Sequence, residues 1–172
     1  MPRIDESVIN FALYEDANEY LGMAEVALPE LASLTQEITG AGIAGNVEAV
    51  ILGHFEAMTT TLNFRTVTRS AVSLLKPGYH TLTLRVAQQL KDTVKGTKVV
   101  QHVKHVMIVE SKKYAPGKVA TASSAEASGE YAVTYFATFL DGKKVLEVDK
   151  LNFIYEVDGV DYLADVRKAM GK

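Results

Sequence analysis

The chain of 172 residues contains no cysteine. Disulfide frameworks, thiolate metal sites and cysteine nucleophiles are thereby excluded. It has no run approaching the roughly 18 apolar residues of a membrane span. Its opening residues, MPRIDESVIN, lack a basic segment followed by an apolar one, so the expectation is synthesis and folding in a cytoplasm. A basic excess is missing too. Lysine and arginine number 18 against 21 aspartates and glutamates, for a net charge of -3, which argues against a general nucleic-acid coat. What is present is 48% hydrophobic and 23% charged residues, the balance of a soluble globular chain. A chain of this length buries roughly 70% of its unfolded surface, enough for one domain over 1–172.

The stretch TGAGIAGN (39–46) spaces Gly40, Gly42 and Gly45 as G-x-G-x-x-G. In a dinucleotide site that spacing follows a buried strand, opens a helix, and precedes an acidic residue about 20 positions on. Here the preceding segment is half polar, the following one is β-branched and broken by Gly53, and Thr59, Thr60 and Thr61 occupy the acidic position. The glycines read instead as a long open loop with positive φ. His102 and His105 are three apart in an expected strand, so they point to opposite faces and cannot clasp one metal. Ser123, Ser124 and Ser128 have no histidine partner, DGKK (141–144) is not a phosphate loop, and Asp158 and Asp161 are too few for calcium. No catalytic constellation, cofactor site or metal site emerges.

Alternation dominates the rest. The first 19 residues mix charges with Ile4, Val8, Ile9, Phe11 and Leu13 and read as an extended arm with little regular structure. Residues 20–29 read as a first strand, stopped at Pro29. In LASLTQEIT (31–39), Leu34, Gln36 and Ile38 share one face; Ser33, Thr35, Glu37 and Thr39 share the other. In 55–64, Met58, Thr60, Leu62 and Phe64 oppose Thr59, Thr61 and Asn63, and β-branched threonines suit a pleated surface. One internal helix is expected after Thr68 as its cap, with Val67 packing on Val72, Leu75 continuing that face, and Pro77-Gly78 as its stop. Strands follow over 80–90 and 98–111. Residues 114–129 read as a mobile loop, and 130–140 and 143–157 as a hairpin over Asp141-Gly142. A short C-terminal helix is expected after Asp161 as cap, with Val160, Leu163, Val166 and Met170 on one side. Asp165 lies early and Arg167, Lys168 and Lys172 late, as the helix dipole favours. The expected architecture is mainly antiparallel β, a sandwich or distorted barrel with two helices.

Several segments in order resemble one family. They are LPEL (28–31), TQEITGAGIAGNVEAV (35–50), LGHFEAMTTTLNF (52–64) and EVDKLNFIYEVDGVDYLADVRKAMGK (147–172). Together they are similar to the major tail tube proteins of contractile-tailed phages and phage-tail-like bacteriocins. The resemblance implies hexameric rings stacked into a hollow tube inside a contractile sheath, with strands of neighbouring subunits joined into one β-barrel. The implied partners are further copies of the chain, the sheath protein, a baseplate or tube initiator and a tape measure protein. DNA would pass through the lumen without specific binding, no cofactor is implied, and the location is a virion tail or tail-like particle. Under that resemblance Thr35, Glu37, Thr39, Thr59, Thr61 and Asn63 are candidates for the lumen. Residues 40–53 become a pliable loop reaching the next ring, with Gly40, Gly42 and Gly45 giving freedom and Ile43, Val47, Val50, Ile51 and Leu52 supplying apolar contact. From the residues without the resemblance, a small-molecule-binding β-barrel stays open beside the structural subunit.

Overall fold

Strands form wherever β-branched and aromatic residues alternate with polar ones, and the alternation decides which face is buried. A computed structural model describes residues 2–20 and 22–172. Met1 of the expected arm and Leu21 of the expected first strand lie outside the described residues. The elements are β1 (Arg3–Glu15), β2 (Asn18–Tyr20), β3 (Met23–Ala27), β4 (Ser33–Ile38), β5 (Val47–Phe55), β6 (Met58–Phe64), α1 (Arg69–Ser73), β7 (His80–Asp92), β8 (Lys98–Ala115), β9 (Ala127–Leu140), β10 (Lys143–Asp149), β11 (Ile154–Val157), β12 (Val160–Asp161) and α2 (Ala164–Ala169).

Ten of these strands make one antiparallel sheet in the order β12-β11-β10-β9-β8-β7-β1-β2. One edge of β9 is shared: β6 pairs with its residues 127–133 and β10 with 135–140, while β3 adds outside β6. Strands β4 and β5 form a separate two-stranded sheet. The fold is mainly β and sandwich-like, with one internal helix and one C-terminal helix.

Inward faces of β1, β6, β7, β8, β9 and β10 converge with α1 on one core containing Leu13, Leu62, Phe64, Leu74, Leu82, Met107, Val109, Tyr131 and Val148. Full burial of such aliphatic and aromatic side chains contributes about 1.5–3 kcal/mol each. Strand β6 alternates as its sequence expects: Met58, Thr60, Leu62 and Phe64 are buried, and Thr59, Thr61 and Asn63 are half-buried. Thr60 is tolerated inside because its hydroxyl donates to the Ala27 carbonyl at 2.7 Å. The Asp141-Gly142 turn forms as expected, with φ of 48° and 81°, the two positive values a tight hairpin of this kind needs.

Several expectations are corrected. The N-terminal arm is largely strand β1, paired along its length with β7. Its first residues are exposed on both faces, so they never show alternation. The expected strand 143–157 is two strands. The Asp149 carboxylate accepts the backbone N–H groups of Leu151 and Asn152 at 3.1 Å and bends the chain there. The expected loop 114–129 shrinks between the long strands β8 and β9. Thr68 does cap α1, accepting from Ala71 N–H at 3.1 Å, but the helix buries Ala71 and Leu74 while Val67, Val72 and Leu75 face outward. A helix this short presents only one close pair, three residues apart, to the core. Asp161 is not the cap of α2, whose N-cap is Leu163 without a side-chain bond. Instead Asp161 accepts from Leu163 N–H at 3.0 Å and pairs with Arg167 at 2.6 Å. Of the apolar side expected for that helix, Leu163 is buried, whereas Val160, which lies on β12, and Met170 are exposed.

Candidate assembly surface

The β4–β5 hairpin is built from the stretch that held the glycine motif. Its register pairs Thr35 with Val50, Gln36 with Ala49, Glu37 with Glu48 and Ile38 with Val47. Alternation then places Gln36, Ile38, Val47 and Ala49 on one face, and Thr35, Glu37, Glu48 and Val50 on the other; past Val50 the pairing is irregular until Phe55 meets Ser33. Neither face is covered by the body. Val50 is 66% exposed and Leu52 54%, with Ile38, Ile43 and Val47 also open. The expected loop 40–53 is thus a short glycine turn followed by most of a strand. In the turn Gly42 and Gly45 hold φ of +91° and +109°, values that L side chains rarely adopt, whereas Gly40 does not need one.

A lone two-stranded hairpin is marginal in water, so the root must hold it. There Glu56 N–H donates to the Ala32 carbonyl at 2.7 Å, and the Phe55 ring meets Tyr155 edge-on at 5.1 Å. The Lys150 ammonium donates to the Glu56 carbonyl. Gly53, at φ +65°, lets the root close on the C-terminal segment: a Cβ there would lie 2.6 Å from Leu163 Cδ2. The segment thus breaks as a cofactor motif and works as a projecting hairpin with a tight root.

The six residues expected to face a channel do not share one sheet. Thr35 and Glu37 lie on β4 with Thr39 just beyond, while Thr59, Thr61 and Asn63 lie on β6 in the large sheet. On β6, Thr61 sits between Ala27 and Glu130, and Asn63 between Glu25 and Ser128. The Thr59 hydroxyl accepts from the Lys112 ammonium at 3.3 Å. This face is polar and carries charges of both signs.

The histidines are scattered. His102 is exposed; His105 is half-buried, lies 2.9 Å from the Thr138 hydroxyl through Nδ1, and is held below its ordinary pKa by burial. His54 Nδ1 lies 2.8 Å from the Leu52 carbonyl. His80 joins a small polar cluster, with Nδ1 2.5 Å from Glu15, which also accepts from the Tyr20 hydroxyl, and Nε2 3.0 Å from the Lys76 carbonyl. Burial opposes charge on His80, but the Lys76 carbonyl and the Glu15 carboxylate outweigh it and raise its pKa. The cluster ties β1, β2 and the end of the helical segment together. Among the described residues no group of three or more histidines and carboxylates gathers as a metal set.

Sequence reading missed the charge pairing across strands, because register is invisible without the partner strand. Arg85 on β7 stands directly opposite Lys104 on β8. The Arg85 guanidinium lies 5.1 Å from the centre of the Tyr14 ring, and the Lys104 ammonium 4.3 Å from that of Phe139. Both line an open groove of about 650 Å³, beside Ala12, Ala87, His102 and Phe139.

A body with its own core, bearing one projecting hairpin with open apolar side chains, has the build of a structural subunit. The chain belongs to the family described as phage tail tube protein FII, whose model matches residues 5–171. It is also similar to the tail tube protein of Escherichia phage P2, being 27% identical over 155 residues that cover 88% of this chain and 89% of that protein. The chain is a tail-tube-like structural protein.

Proposed function

We propose that the chain is the subunit of the inner tube of a contractile phage tail or tail-like particle, stacking as hexameric rings into a hollow tube. In a phage the tube conducts DNA; in a bacteriocin it punctures the cell envelope. The single observation that carries this reading, beside the family, is the β4–β5 hairpin with its open Ile38, Ile43, Val47, Val50 and Leu52. Burying such side chains against a neighbour is worth about 1.5–3 kcal/mol for each one fully covered, and exposed apolar patches of this kind mark interaction sites. Sheath protein, baseplate initiator and tape measure protein are the other partners of this reading, and the location is the tail, assembled in the host cytoplasm. No catalytic step is part of it.

The polar face bearing Thr59, Thr61 and Asn63 is the reading's candidate for the lumen, together with Thr35, Glu37 and Thr39 on the hairpin. Uncharged threonines and asparagine, with Glu25 and Glu130 offsetting Lys112 and Lys113, leave a polyanion free to slide, whereas arginines would hold it. In a phage carrying T59R and T61R, tubes form and DNA delivery slows; unchanged infectivity removes β6 from the bore. Negative-stain microscopy of the purified protein over a concentration series tests the whole reading. Hollow tubes or six-fold rings support it, and a monomer at every concentration, even when seeded with a tail lysate, overturns it.

A further inference from the structure

The sheet registers place like charges directly opposite each other at three informative positions. Glu147 on β10 faces Glu156 on β11, Glu37 on β4 faces Glu48 on β5, and Arg85 on β7 faces Lys104 on β8. Like charges directly across a strand pair are destabilising. The first pair is compensated inside the subunit, because the Lys144 ammonium lies 2.5 Å from Glu147 and 3.3 Å from Glu156. The other two are not: among the described residues Glu37, Glu48, Arg85 and Lys104 make no ion pair. One is doubly acidic and stands on a projecting hairpin. The other is doubly basic and lines a groove. Opposed residues on adjacent strands have Cβ atoms roughly 4.5–5.5 Å apart, so the two pairs share one spacing.

Building on the tube reading, we infer that the Glu37–Glu48 pair of one copy seats on the Arg85–Lys104 pair of a second copy, which takes Thr35 and Glu37 out of the lumen-facing set and leaves Thr59, Thr61 and Asn63 in it. Val50, on the same hairpin face as the glutamates, and Leu52 just beyond it enter the groove beside Ala12, Ala87 and Phe139. The Tyr14 and Phe139 rings hold the two cations in place before the partner arrives, which lowers the ordering cost of docking. Glu19, the carboxylate that the groove itself supplies, pairs with neither cation. A second basic pair, Lys91 opposite Lys98, also makes no ion pair among the described residues, but it flanks the β7–β8 turn and lies outside this groove. Because hairpin and groove are different surfaces, each copy donates one and receives the other. Made head to tail, such a contact runs on from copy to copy, into a ring or along a stack.

The experiment compares sedimentation and negative-stain images of wild type, E37K/E48K, R85E/K104E, the protein carrying all four changes, and K91E/K98E. Circular dichroism checks the fold of each, and R85E/K104Q replaces the groove variant if that one unfolds. Each pair reversal lowers the assembled fraction at least ~10-fold, the combined variant recovers assembly, and K91E/K98E behaves as wild type. Assembly of either pair reversal at the wild-type level overturns the inference and leaves the tube reading standing. So does a combined variant that is folded but fails to recover, or loss of assembly by K91E/K98E alone. Wild type that never assembles, even seeded, overturns the tube reading, and the inference falls with it.

Discussion

The large sheet and the β4–β5 hairpin are made of the same material and meet opposite fates. Both carry apolar and polar residues on antiparallel strands. In β6 the apolar face meets β7, β8 and β9 across a shared core, so Leu62 and Phe64 have almost no exposure. In β5 the apolar residues meet solvent, and Val50 keeps 66% of its surface. A valine or leucine stabilises the monomer only when the monomer supplies its cover. Where it does not, the same side chain is left free to supply binding energy to a partner. The charges repeat the contrast: the acidic pair inside the body is bridged by Lys144, and the acidic pair on the hairpin is left open.

The contrast breaks most visibly at its extremes. Phe64→Ala removes a fully buried ring and should cost about 3–5 kcal/mol in urea unfolding. The double change I51D/L52D should move that stability by less than about 1 kcal/mol while abolishing assembly in sedimentation. Equal losses of stability in the two variants would mean that the hairpin is part of the monomer's core after all. Between them lies the root. Gly53→Val adds a side chain into Leu163 at a positive φ, and should cost about 2–3 kcal/mol and weaken assembly together. An unchanged melting point would show that the root yields freely.

The smallest effect is a pH dependence of the body alone. A histidine whose folded pKa is raised stabilises fully below its unfolded value, near 6.5, and loses that contribution as pH rises through the folded pKa. Stability should therefore fall as pH rises from the unfolded value, about 6.5, through the higher folded one. E15Q should flatten that slope without altering assembly at fixed pH. A slope unchanged in E15Q would assign it to the Lys76 carbonyl on His80 or to a group other than His80.

Much of the fold was legible because local chemistry and tertiary demand agreed. The threonine run with its apolar partners, the Asp141-Gly142 turn and the Thr68 cap all formed as read. Strand β1 was missed because residues 3–10 are exposed on both sides and owe their extension to the neighbouring β7, not to a pattern of their own. The break after Asp149 was missed because apolar residues resume within two positions at Leu151 and Phe153, while the Asp149 side chain turns the chain. At the assembly surface the exposed residues of β5 were named, but as a loop, since three glycines outweighed the β-branched stretch behind them.

By itself the sequence determined the mainly antiparallel fold and the absence of a thiol or cofactor motif, and its segments in order carried the family likeness. These depend on residue type and short spacing, which act within a few residues. Only the tertiary structure decided that Glu37 faces Glu48, that Arg85 faces Lys104, and that the first pair stands on a hairpin while the second lines a groove. Register and cover depend on which distant strand lies alongside, and a one-residue slip would turn each of these side chains to the other face.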